Sequence, residues 1–212
     1  MHIPIDLRER VSWAIEFAWQ ITLHKICSSE IHVYKEASLQ LHYSSILMDT
    51  LGLIKFSPQE RFSLELESTI RINEKPFIVD ILVLYSNSEL SEKHAIELKC
   101  YRTLAASGKN RGANDIFMHA VYEDLYITEQ YVKCRQADIA TCLILTDYEN
   151  FVNPKQKTSK NWTYDISHNY KLTPNRFTTP IGGKMVDFSL DSAYHFIWTK
   201  QGNFWGTILR AL

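Results

Sequence analysis

Three short runs of the chain, Phe77–Leu84, Ala95–Cys100 and Ile139–Thr146, are apolar at almost every position. A strand turns successive side chains to opposite faces, so such a run needs cover on both sides of its sheet. Runs of this length fit strands better than helices. Two of them are interrupted: Asp80 stands between Phe77-Ile78-Val79 and Ile81-Leu82-Val83-Leu84, while Glu97 and Lys99 flank Leu98. A carboxylate in an apolar layer is costly unless something compensates it, which marks these positions as candidates for chemistry.

The rest of the chain places these runs in order. Leu7, Val11, Ala14, Ala18 and Ile21 recur at helical spacing and predict a helix over residues 6–27. A second helix is expected over about 31–51, with Tyr34, Ala37, Leu41, Met48 and Leu51 as its core stripe and Gly52 placed to end it. Arg61 to Ile72 alternates like a strand, Asn73–Pro76 turns the chain, and Ser86–Lys93 is the loop between the two interrupted strands. A further helix starts at Asn114 or Asp115 and runs toward Arg135, ahead of the 139–146 strand. Three consecutive strands favour an antiparallel meander, and the strand after the helix can return parallel through a crossover. In the tail, Trp162–Leu172 and Tyr194–Leu209 are predicted strands, with Gln201-Gly202-Asn203 as a hairpin turn. The expected organisation is one α/β (α+β) domain over 1–212: an N-terminal helix within 1–30, a core over 31–146, and a β-rich extension over 147–212 packed on the sheet.

At 212 residues, with 45% hydrophobic and 22% charged residues, the composition is that of a soluble globular protein. No apolar run is long enough for a membrane helix, and MHIPIDLRER has no secretory pattern. Cys27, Cys100, Cys134 and Cys142 are widely spaced, as expected of reduced thiols in a cytoplasmic protein rather than a zinc site or disulfide frame. Residues 150–212 hold eight Lys/Arg against three acids, a net +5, which leaves −6 for the first 149. Such a split suits a chain in which one part holds a cation and another meets a polyanion.

Residues two apart on a strand share a face, so Glu97 and Lys99 project together, and Asp80 on the preceding strand can lie beside Glu97. A hard divalent cation relieves the repulsion of two neighbouring carboxylates. A lysine on the same face suits a phosphate oxygen or an attacking water. Glu36 heads a second stripe of the second helix, with Gln40, Tyr43 and Leu47 at intervals of four, three and four, and can bring a further carboxylate. A Glu-x-Lys alone recurs by chance; its weight here comes from interrupting a buried run behind a strand that carries an embedded aspartate.

The set Glu36 … Val79-Asp80 … Glu97-Leu98-Lys99, on an order of helix, three strands, helix and strand, resembles the PD-(D/E)XK nuclease superfamily over residues 31–146. Val79 stands where the motif has its proline. The resemblance implies the restriction-endonuclease-like fold, a mixed central sheet flanked by helices with core order αβββαβ. It further implies Mg²⁺, with Mn²⁺ as substitute, held by Asp80, Glu97 and the Leu98 carbonyl, with Glu36 as the helix acid. Lys99 would position or deprotonate the attacking water and offset charge on the phosphate. The function implied is a metal-dependent endodeoxyribonuclease of the restriction or defence kind, acting on DNA with no membrane partner. Such enzymes often pair to cut two strands, which makes a homodimer the implied assembly.

Around this set, Arg102 lies just past the strand, Lys109 and Arg111 lie between Gly108 and Gly112, and Lys155, Lys157 and Lys160 precede Trp162. Basic residues among aromatics suit phosphate contact and base stacking. His119, in a stripe with Asp115, Tyr122 and Tyr126, could face the cleft but reads rather as a satisfied surface or core histidine. The alternative function is a non-catalytic nucleic-acid-binding or assembly subunit that keeps the nuclease fold, against which the retained acid–acid–lysine set argues. A small-molecule hydrolase finds no G-x-S-x-G, H-E-x-x-H or glycine-rich phosphate loop.

Overall fold

The computed structural model describes residues 3–104, 108–109, 111–112 and 114–211. Helices α1 (Leu7–Cys27) and α2 (Glu36–Leu53) precede strands β1 (Arg61–Ile72), β2 (Lys75–Ser86) and β3 (Ser91–Tyr101). Helix α3 (Asn114–Lys133) leads into β4 (Ile139–Thr146) and the single turn α4 (Glu149–Val152). Short strands β5 (Lys171–Leu172), β6 (Asn175–Phe177), β7 (Phe188–Leu190) and β8 (Tyr194–His195) follow, then β9 (Thr199–Gln201) and β10 (Phe204–Leu209).

The chain is mixed α/β around a six-stranded mixed sheet of order β1-β2-β3-β4-β10-β9. β1, β2 and β3 form the expected antiparallel meander, and β4 returns parallel to β3 after α3. Apolar cover lies on both faces. Ile81, Val83, Ile96 and Leu98 pack with residues of α1 and α2. On the opposite face α3 packs with Ile144, Leu172, Phe177 and Trp198. No helix of the described residues is long and apolar enough to cross a membrane.

Three expectations are corrected. The extension does more than pack on the sheet: the β9–β10 hairpin, turning at Gly202-Asn203, joins it through antiparallel pairing of β10 with β4. Trp162–Leu172 is a strand only at its end, Lys171–Leu172. It opens with a 3₁₀ turn at Lys160–Tyr164, and side chains replace a ladder: Tyr122 Oη donates to the Asp165 carbonyl and Trp198 Nε1 to that of Ile166, each at 2.7 Å.

In α2 only Leu51 of the expected core stripe is buried, and the rest of that stripe turns outward. Leu41 and Met48 are exposed, whereas Leu39, Tyr43 and Leu47 are fully buried. The helix also begins later than expected, because the Ser38 hydroxyl accepts from the Tyr34 and Lys35 amides and holds those residues outside it. Glu36 is therefore its first residue, on the face that looks into the sheet. There the helix dipole favours a negative charge.

Candidate active site

The site forms where β2 leaves β3. Their antiparallel rungs run from Ser86↔Ser91 to Ile81↔Ile96 and stop, so beyond Ile96 the edge of β3 toward β2 lacks a strand partner. Buried amides must still find acceptors, and here carboxylates supply them. Asp80 Oδ2 accepts the Leu98 amide at 2.7 Å, and Glu36 Oε2 accepts that of Cys100 at 3.3 Å. The Leu98 carbonyl faces the same edge, because N–H and C=O of one strand residue point the same way.

Glu97 and Lys99 project from the other parity of β3, toward α3. Glu97 is 7% exposed and accepts from Tyr131 Oη at 2.6 Å. Lys99 Nζ lies 3.0 Å from Asp124 Oδ2 and 3.5 Å from Glu36 Oε1. That Asp124 oxygen is buried, with Lys99 as its ion-pair partner. Asp80, Glu97, Lys99 and Glu36 thus come together around one notch, and α3 adds Asp124 and Tyr131.

Charge in the notch is unbalanced. Burial, with Asp124 and Asp80 nearby, pushes the Glu97 carboxyl well above the usual carboxylate range. Burial also raises Asp80, although the Leu98 amide opposes the shift. Asp124 is pushed up to about 7 by burial, against the pull of Lys99. Burial works against the charge on Lys99, yet Asp124 and Glu36 outweigh it and hold its pKa above the ordinary lysine value. A lysine whose charged form is favoured suits the positioning and charge-offsetting parts expected of Lys99.

Asp80 and Glu97, two crowded carboxyls that burial raises above the usual range, flank a strand carbonyl, and oxygen donors of this kind are what a hard cation takes. Magnesium takes one or two carboxylates and fills its remaining positions with water and substrate oxygens. Among the described residues, no group of three or more His, Cys, Asp or Glu side chains is spaced to hold a metal ion. The unit is the Asp80–Glu97 pair, with Glu36 turned to Lys99 and Cys100.

Of the basic residues, Arg102 is engaged internally, paired with Asp147 at 2.8 Å, donating to the Val33 carbonyl and lying over the Phe204 ring. Lys157 is paired with Asp165 at 2.6 Å and donates to Ser167. Arg111 donates to the Tyr34 carbonyl, two residues before Glu36. Lys109, Lys155 and Lys160 are exposed. His119 is buried between Tyr164 and Phe188, with Nδ1 3.3 Å from Glu123 Oε2 and Nε2 buried without a hydrogen-bond partner.

Sequence reasoning missed Asp124 and Tyr131. The signal was present: Phe117, Val121, Asp124, Thr128 and Tyr131 recur at four, three, four and three, and all are buried. An acid within a buried helical stripe is the counterpart of Asp80 within its strand. Comparison of the chain with family models, with curated proteins and with solved structures finds no match.

Proposed function

We propose that this protein is a metal-dependent nuclease that hydrolyses DNA phosphodiester bonds, with the restriction-endonuclease-like arrangement of the PD-(D/E)XK superfamily. The observation that carries the reading is the convergence of Asp80, Glu97, Lys99 and Glu36 on one notch, set on an order α2-β1-β2-β3-α3-β4. A divalent cation at Asp80, Glu97 and the Leu98 carbonyl would polarise the scissile phosphate and acidify a water.

The chain's own residues do the rest. Lys99, kept cationic by Asp124 and Glu36, places a positive charge where a phosphate would gain negative charge. Asp124 and Tyr131 hold Lys99 and Glu97 in position from behind. Glu36, whose side chain is 44% exposed, is an acid with access to solvent and can take a proton at a carboxylate oxygen. Lys109, Lys155 and Lys160 are the exposed cations that could meet the DNA backbone, and the free cysteines suit a reducing, cytoplasmic setting. A homodimer that cuts both strands is the assembly we assign to this reading.

Nicking of supercoiled plasmid in Mg²⁺ or Mn²⁺, blocked by EDTA and lost in Asp80→Ala, is the expected result. Plasmid that stays intact with correctly folded protein would instead favour a non-catalytic DNA-binding or assembly subunit.

A further inference from the structure

Asp80 sits at a fault in the β1–β2 hairpin. The ladder runs Leu66↔Ile81 and then Ser68↔Val79, skipping the rung between Glu67 and Asp80. Both strands change face there. Phe62 and Leu64 pack toward α1 and α2, but Ile70 and Ile72, of the same parity, pack with Tyr131 of α3. On β2, Ile81 and Val83 pack with the first group and Val79 with the second.

At the fault Glu67 has φ 53°, a left-handed conformation that ordinary side chains avoid. The other non-glycine residues with positive φ (Ser29, Asn73, Glu74, Arg135 and Asn169) all lie outside strands; Glu67 is the one within a strand among the described residues. One side chain ties the fault to the site. Gln40 Nε2 donates at 2.8 Å both to the Asp80 carbonyl and to Glu67 Oε1, four residues along α2 from Glu36.

We propose that Glu67 and Gln40 form a positioning device for Asp80, resting on the nuclease reading above. The left-handed turn at Glu67 releases Asp80 from the ladder and Gln40 holds the freed carbonyl, which swings the carboxylate into the β2–β3 notch and onto the Leu98 amide. Glycine is the residue that suits φ 53° without strain. Strained backbone kept at such a point is characteristic of functional sites.

The test compares Glu67→Gly, Glu67→Gln and Gln40→Ala. Glu67→Gly should raise Tm by about 2–4 °C through relief of strain, yet lower kcat at least about ten-fold with KM for DNA unchanged, as expected of a lost positioning contact. Glu67→Gln, which keeps an acceptor for Gln40, should behave as wild type. Amide exchange at Leu98 reads the Asp80 contact with neither metal nor DNA present, and should quicken at least about ten-fold in Glu67→Gly and Gln40→Ala. Unchanged Leu98 exchange in both, or full cleavage by a stabilised Glu67→Gly, overturns the device. Should the wild-type chain not cleave at all, the nuclease reading fails alone, because the exchange result still decides the positioning.

Discussion

The acids of the notch and the other buried acids of this chain live under opposite rules. Glu129, on the same helix as Asp124, accepts from the Asp191 and Ser192 amides, from Tyr194 Oη and from Lys133 Nζ, all within 3.1 Å. Glu60 has Arg10 at 2.6 Å and the Phe56 amide, which outweigh the cost of its burial and lower its pKa. Glu92 takes Arg8 and the Tyr85 hydroxyl. In the notch, Glu36, Asp80, Glu97 and Asp124 share the single ammonium of Lys99. Buried charge with its own partners fixes a structure, whereas charge left under-compensated marks a place where the chain keeps binding capacity at the expense of stability.

The largest effect should come from Glu97→Gln. The amide keeps an acceptor for Tyr131 but removes a carboxylate that is crowded by Asp80 and Asp124. On the proposed nuclease reading, plasmid cleavage should fall about a thousand-fold or more, the scale of losing a principal electrostatic group, while Tm stays level or rises. A fall in Tm would place Glu97 with the structural acids.

The converse substitution is Glu129→Ala. It strands two backbone amides, a tyrosine hydroxyl and Lys133, and should cost about 3–5 kcal/mol of unfolding free energy in a denaturant titration. Cleavage by the fraction that remains folded should be close to wild type. Equal loss of activity per folded molecule would erase the distinction between the two kinds of acid.

Most of this frame was legible because one-sided or two-sided burial writes itself into spacing. β1 and β4 match the predicted ranges, β2 and β3 contain theirs but run past them into the expected turn at 73–76 and loop at 86–93, and Asp80, Glu97 and Lys99 stood out by breaking apolar runs. α2 was harder: Leu41 and Met48 look like core but face outward, since a helix apolar on two stripes does not say which one meets the sheet. Tyr164, Ile166 and Leu172 are buried, but so are Asp165 and Ser167 between them, and the Tyr122 hydroxyl and Trp198 indole satisfy that backbone from far along the chain. Such partners leave no local pattern. The fault at Glu67 was hidden likewise, for nothing in ESTIRI distinguishes a left-handed glutamate from an ordinary strand residue.

A smaller effect should appear in the dependence of stability on pH, measured in EDTA. Burial holds Asp124 near 7, above its unfolded value, so its contribution to stability is full below about pH 4 and is lost as pH rises toward 7. His94 runs the other way: burial, with Arg210 nearby, lowers it to about 3, so its contribution is present above about pH 6.5 and is lost as pH falls. Asp124→Asn removes Asp124's share of the first trend, leaves the shares of Glu97 and Asp80, and keeps the second. Between pH 5 and 7.5 the variant's Tm should therefore move upward relative to wild type as pH rises. Parallel curves would mean that Asp124 is ionised throughout and belongs with Glu129.

The smallest effect is expected at Arg176, where a fork of two hydrogen bonds to Asp187, at 2.8 and 2.9 Å, joins two exposed side chains across the β6–β7 pair. The geometry is as good as any ion pair in the molecule, and Asp187 lowers its own pKa chiefly through this contact. Water competes for both partners, and ordering two long side chains offsets the attraction. Arg176→Ala should leave Tm and cleavage within measurement error of wild type, and 0.5 M salt should not change that result. If it does not, the rule that burial rather than pairing geometry sets the worth of a charge fails at the site in this protein where it is easiest to test.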